Sequence, residues 1–278
     1  MIVAVASSGR PPDLVDVEQR HVRNRVPVGA AISQSLTMAG RGLLKIKHNP
    51  QQLFDVIVLP IVFTVMFSTI FGGAIVGDVA TYLPLLIPGV LVQVAVAASV
   101  TCGVQLREDL DRGVFDRFKS LPIARIAPLA GALLANAVRY VVATGITVAV
   151  GFAMGYRPGS LVGLAIACVL VVVVAFTLSW IFALMGVLLD KASTVQGVSM
   201  LVLMPLTFVS NALVPIDTMP DWIQACANAN PVSHLVTSAR SLAADGAAGV
   251  EIGYTLLGAA GILAIFVPVT LRTYMRRT

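Results

Sequence analysis

The sequence predicts an all-α, polytopic membrane protein, and three observations carry that prediction. The 278-residue chain is 57% hydrophobic and only 12% charged, with mean hydropathy +0.89; an average soluble domain is about 25% charged. Its apolar residues fall in repeated runs approaching the ~20 residues that cross hydrocarbon as a helix. One segment, Arg107 to Pro122, breaks this apolar expanse with eight charged side chains. Such a segment cannot lie in hydrocarbon and belongs in water beside the membrane.

Residues 1–26 are polar, and the apolar start MIVAVA is too short for a signal-peptide core. A disordered cytoplasmic tail is expected there, followed by a single transmembrane domain over 27–278. Within residues 28–48, Ile32, Leu36, Ala39, Leu43 and Ile46 recur at helical spacing, with Arg41, Lys45, Lys47 and His48 near the end. This fits an amphipathic helix in the inner interface, its basic groups near anionic headgroups; the alternative is a loosely structured linker. Asn49-Pro50 turns the chain.

Six spans follow, at about 53–71, 83–106, 138–156, 161–189, 197–214 and 252–271. Asp55 sits near the inner end of the first. Pro84 and Pro88 lie near the outer end of the second. The run from Pro122 to Tyr156 is too long for one straight crossing, so residues 126–137 are expected to form a separate helix at or through the inner interface. Arg139 then admits two readings. It snorkels to the inner surface, or it is a functional intramembrane charge, costing about 2.5–3.5 kcal/mol to insert at mid-depth. Arg157-Pro158-Gly159 makes an outer turn, and Asp190-Lys191 an inner one. Pro205 is expected to kink the fifth span.

Between the last two spans, two short outer helices are expected over 219–244. Pro220 and Trp222 suggest one resting at the interface, where Trp is favoured. Asn230 reads as the N-cap and Pro231 as the first residue of the next, with Val232, Leu235, Val236, Ala239 and Leu242 on one face.

The charged stretch carries its own pattern. Val114, Phe118 and Leu121 fall at i, i+4 and i+7 of a helix, Phe115 lies beside them, and Pro122 marks the end. Residues 107–125 hold five basic and four acidic side chains. A plain inner loop obeying the charge rule would be basic; this mixture fits a helix over 108–121 that docks on a protein partner.

Charge orients the chain. With six spans and both termini cytoplasmic, 16 of the 19 Lys and Arg lie inside, Arg157 and Arg240 lie outside, and Arg139 is unassigned. That split follows the positive-inside rule, and it accounts for the net charge of +5 without nucleic acid. Cys102, Cys168 and Cys226 show neither disulfide nor metal spacing. His21, His48 and His234 are scattered, and the adjacency of Ser233 and His234 does not make a catalytic triad. No phosphate-binding G-x-x-x-x-G-K-[ST] loop is present, so no catalytic, metal or cofactor residue is assigned. Gly151/Gly155 and Gly159/Gly163 match G-x-x-x-G, a helix-dimer contact or simply loop glycines. The spans lack a chain of carboxylates for ion coupling, so energy for uphill transport would enter from outside the chain.

Three segments together resemble a known family: EDLDRGVFDRFKSLPI at 108–123, MPDWIQ at 219–224 and NPVSH at 230–234. They resemble the permease subunits of type-2 ABC exporters in the daunorubicin-resistance (DrrB-like) group. The likeness covers nearly the whole chain from the interfacial helix onward. It departs at Gly113-Val114, where the family often has Gly-Thr. The resemblance implies a permease of the bacterial plasma membrane, moving an apolar or amphipathic compound outward. It implies two copies of a separate ABC ATPase that hold the ATP and magnesium, and a second permease subunit, identical or different. It also implies a coupling helix seated in the ATPase: Phe115, Phe118 and Leu121 would fill the groove, Glu108, Arg112 and Arg117 would set the register, and Gly113 and Pro122 would bound the segment. Outer re-entrant helices, marked by Pro220, Trp222, Asn230 and Pro231, would cap the exit. Residues alone leave open an ATPase-independent transporter or channel, a non-transporting scaffold, or an integral membrane enzyme using Ser233 and His234.

Overall fold

The computed structural model describes residues 33–40, 42, 50–72, 79–114, 126–212, 220–247 and 249–277. The expected tail over 1–26 lies outside them, as do Ile32, Leu43, Ile46 and the basic groups of the expected interfacial helix. Among the described residues every regular element is a helix. After helical residues 33–40 come α1 (Pro50–Phe71), α2 (Val79–Asp111), α3 (Ala127–Ala153), α4 (Leu161–Leu188), α5 (Ala192–Phe208), α6 (Asp221–Ala229), α7 (Pro231–Asp245) and α8 (Val250–Arg277). By length and composition α2, α3, α4 and α8 can each cross a membrane, while the apolar stretches Val56–Ile70 in α1 and Ala192–Phe208 are shorter.

Local propensity alone would not make α4 a helix. Its Val169–Val174 run is rich in β-branched residues, which are stiff at χ1 and favour strands in water. In hydrocarbon every backbone group needs an internal partner, and a single segment achieves that only as a helix. Buried hydroxyls use the same device: Thr144, Thr147 and Thr177 each donate to the carbonyl four residues back, at 2.8–2.9 Å.

Helices α2 and α4 form the centre of the bundle and pack most extensively on each other; α2 also packs on α1, α3, α5 and α7, and α4 on α3, α5, α7 and α8. The 33 residues of α2 span about 50 Å at 1.5 Å per residue, well beyond a hydrocarbon core of about 30 Å. The buried clusters show how its neighbours run. Near the α2 C-terminus, Cys102 and Leu106 meet Leu129 and Leu133 from the start of α3, Ala183 and Val187 from the end of α4, and Tyr274 of α8. Near its N-terminus, Leu83 and Ile87 meet Tyr156, Leu164 from the start of α4, and Ala243 of α7. Helices α3 and α4 therefore alternate in direction around α2.

Glycines set the closest approaches. A Cβ on Gly103 would lie 2.2 Å from Phe182 O, and one on Gly186 would lie 2.4 Å from Gly103 O. The α2–α4 seam is thus backbone against backbone. At the other end, a Cβ on Gly159 or Gly163 would meet Ala244 O or Leu242 O of α7 at 1.9 and 1.8 Å. The Gly159/Gly163 pair is consumed within the chain, not in a dimer contact. Gly155 ends α3's turn with φ +99.

Several expectations change. The separate helix over 126–137 does not form; Ala127–Ala153 is one helix. Nothing between Pro128 and Phe152 breaks it, and the charge of Arg139 is accommodated by burial rather than by a change of course. Helix α2 exceeds 83–106 at both ends because Pro84 and Pro88 are tolerated near its start and the charged residues 107–111 simply continue it. Helix α5 begins at Ala192 and stops at Phe208, so it sits several residues earlier than 197–214. Helix α8 runs on to Arg277, past the expected 271.

The N-terminal helical residues lie on α3. Ser35 and Ala39 are buried there, and a Cβ on Gly131 would meet Met38 Cβ at 2.4 Å. Leu36, expected on the apolar face of the interfacial helix, is exposed on the protein surface. Large apolar side chains also face outward along α1 (Phe54, Val62, Ile70), α5 (Leu201, Met204, Phe208) and α8 (Leu257, Ile265).

Candidate functional site at the two ends of the bundle

The charged end begins as the last turn of α2. Arg107 Nε donates to Asp111 Oδ1 at 2.9 Å, and Arg107 Nη1 donates to Leu189 O at 3.2 Å. Leu189 caps the C-terminus of α4, so one guanidinium ties α2 to the α4–α5 turn. Glu108 pairs with Arg112 at 3.4 Å one turn on; both are exposed, and such a pair contributes about 0–1 kcal/mol. The helix then stops. Arg112 N–H donates to Glu108 O, Gly113 N–H to Leu110 O, and Gly113 takes φ +64. That left-handed turn is the usual glycine ending of a helix.

The expectation of one helix over 108–121 is corrected accordingly. Residues 108–111 belong to α2, and Gly113 separates them from whatever follows. Phe115, Arg117, Phe118, Leu121 and Pro122 lie outside the described residues.

Arg139 is 3% exposed. It shares a buried face of α3 with Asn136, Tyr140 and Ala143, and it is close enough to Cys102 and Tyr140 to act electrostatically on both. A snorkelled side chain would reach water; this one is enclosed by protein, so the snorkelling alternative fails.

The other end is organised by α6 and α7. Pro220 precedes α6 without a side-chain cap, and Asp221 in the first turn complements the helix dipole. Trp222 is 70% exposed. Asn230 caps α7 by accepting from Val232 N–H at 2.9 Å, with Pro231 in the first turn. Leu235, Val236, Ala239 and Leu242 are buried. Gly246, at φ +68, closes α7 by donating to Leu242 O.

Four side chains bind this outer pair to the spans, and of these only Asn230 has a structural role here that is expected from sequence. Asn230 Nδ2 reaches Leu206 O and Val209 O at 2.8 and 2.7 Å. Asn211 Nδ2 donates to Thr237 Oγ1 at 2.9 Å. Arg240 donates from Nε to Leu85 O at 3.0 Å and from Nη2 to Ala212 O at 3.1 Å. Burial lowers its guanidinium to about 10, with nearby Tyr82 opposing the shift, so it stays charged at neutral pH. His234 Nδ1 lies 2.5 Å from Glu251 Oε2, under Tyr254. Ser233 Oγ is buried elsewhere, and no serine–histidine pairing is formed. Arg240 had a sequence signal: it falls at i+4 from Val236, on the face otherwise given to apolar residues.

The fold and its two ends define a polytopic helical membrane protein with a charged edge at one end and a latched helical pair at the other. The profile of the family described as ABC-2 type transporter matches residues 33–243, and the chain belongs to that family. It is 42% identical over 248 residues to the daunorubicin resistance ABC transporter permease protein DrrB1 of Streptomyces coeruleorubidus, covering 89% of this chain and 88% of that protein. It is 25% identical over 242 residues to a Mycobacterium tuberculosis protein named "Probable doxorubicin resistance ABC transporter permease protein DrrC", covering 84% and 85%.

Proposed function

We propose that this chain is the membrane-spanning permease subunit of an ATP-driven exporter, carrying an apolar or amphipathic compound outward across a bacterial plasma membrane. The observation that carries the reading is the family membership together with the charged exit of α2, one of the two central helices of the bundle. In this reading α1 to α5 and α8 are six spans with both termini inside. The charge asymmetry of the sequence supports that orientation, and the apolar outward faces of α1, α5 and α8 suit lipid and a second permease subunit. ATP and magnesium are held by two copies of a separate ATPase; this chain binds no cofactor of its own. The names of the relatives favour a drug-like cargo.

Force enters at the inner edge. The segment from Phe115 to Leu121 docks in the ATPase, with Phe115, Phe118 and Leu121 as buried anchors of the kind that dominate interfaces. Glu108, Arg112 and Arg117 set its register. Closure of the ATPase pair moves this segment, and Gly113 lets it turn against α2 without bending the helix. Arg107 passes the motion to the α4–α5 turn. The enclosed Arg139 holds α3 against α2 and α4 as a buried charge. Replacing Phe115 and Phe118 with Ala uncouples ATP hydrolysis from transport while the protein still reaches the membrane. Unchanged transport in that double variant rules out docking through this segment.

A further inference from the structure

Asn230 stands between two helix ends and uses both halves of its carboxamide. The oxygen accepts from Val232 N–H and starts α7. The Nδ2 donates twice, to Leu206 O and Val209 O, at the end of α5. The side chain is buried, 8% exposed, so these bonds do not compete with bulk water. The final carbonyls of a helix have no partner inside it, and Pro205 further weakens this turn because it offers no N–H to Leu201 O. The end of α5 is therefore intrinsically loose, and the amide of Asn230 ties its last turn to the start of α7. Asn211 and Thr237 repeat the link 2.9 Å apart, seven residues further along α7.

We propose that Asn230 is a positioning residue of the transport cycle: a joint that makes α7 follow the outer end of α5. The outer pair then moves as an extension of that span and not as an independent flap. The chemistry singles out asparagine. Aspartate and serine both keep an oxygen for the α7 cap, but neither offers the two amide donors. An aspartate would also set a carboxylate against the α5 carbonyls. The transport consequence rests on the exporter reading, whereas the joint itself does not.

The test is hydrogen exchange on the purified full-length chain and on its complex with the ATPase. In the free chain, Asn230→Ser and Asn230→Asp raise exchange at residues 206–210 about tenfold, as expected for two lost hydrogen bonds, while residues 232–235 stay within about twofold because the cap survives. If Asn230 were a local cap alone, both segments would stay unchanged in these variants, and that result overturns the joint. In the wild-type complex, trapping with ADP and vanadate changes 206–210 and 232–235 together; in the variants only 206–210 responds. Independent responses in the wild type overturn the proposal without any variant having to fold. A wild-type complex with no nucleotide response anywhere in this chain instead contradicts the exporter reading, and the free-chain pattern still decides the joint.

Discussion

The α2–α4 seam makes a sharp prediction through Gly103→Ala. The added methyl would stand 2.2 Å from Phe182 O, where ordinary contact begins at 3.4 Å. The two helices must therefore part by about 1.2 Å at a point where backbone, which cannot rotate away, blocks the methyl. Overpacking of this kind costs about 1–3 kcal/mol. Alanine in a helix interior recovers about 0.5–1 kcal/mol relative to glycine, leaving a net loss of up to about 2.5 kcal/mol. Gly145→Ala is the control, since a Cβ there meets nothing within 4 Å; only the helix gain remains, and the sign reverses. Unfolding in detergent can be followed by the fluorescence of Trp180, which sits in the cluster beside this seam. If Gly103→Ala proves as stable as Gly145→Ala, the backbone contact is not there and α2 and α4 do not move as one body.

Three further outcomes are expected. Arg240→Met removes two charge-assisted bonds to Leu85 O and Ala212 O and lowers stability by about 1–3 kcal/mol in the same unfolding assay. Arg240→Lys, which cannot fork to both carbonyls, recovers less than half of that loss. Because burial lowers this guanidinium only to about 10, its contribution is flat from pH 6 to 8, and stability rises with pH only above 10, where the unfolded chain holds the proton more tightly. Gly113→Val places a β-branched residue at φ +64 and costs about 1–2 kcal/mol locally; global unfolding barely shifts, but recovery of ATPase with the tagged chain falls severalfold, whereas Gly113→Asn is tolerated. A membrane-impermeant maleimide added to intact cells labels exposed Cys226 on α6 and not buried Cys102; labelling of Cys226 only after lysis would place α6 on the inner side.

What could be read from sequence was local. Asn230-Pro231 announces a cap because capping involves only the next two or three residues, and the structure has that cap. Leu161 and Leu188 bound α4 because polar turn residues flank an unbroken apolar run. Gly113 was also legible in principle, as the left-handed glycine that ends a helix, but the charged residues before it and the apolar spacing of Val114, Phe118 and Leu121 after it suggested a single helix over 108–121. Arg139 was ambiguous because burial of one side chain depends on which neighbours cover it, and that is set by how α3 packs on the other helices. Gly159 and Gly163 found their partner in Leu242 and Ala244, some eighty residues away, and no periodicity reports such a pairing. Asn230 and Arg240, which latch the outer pair, reach carbonyls at and beyond the end of α5 and on α2, which are tertiary facts.

The central claim is that the charged edge of this chain serves a separate ATPase. Its most direct test is affinity purification of the tagged, full-length protein from its native membrane in mild detergent, with every co-purifying chain identified by mass. A nucleotide-binding ATPase in near-equal amount is the result expected of an exporter permease, and it should be lost when Phe115 and Phe118 are both alanine. Recovery of the wild-type chain with no ATPase would contradict the claim and favour a self-contained transporter or scaffold.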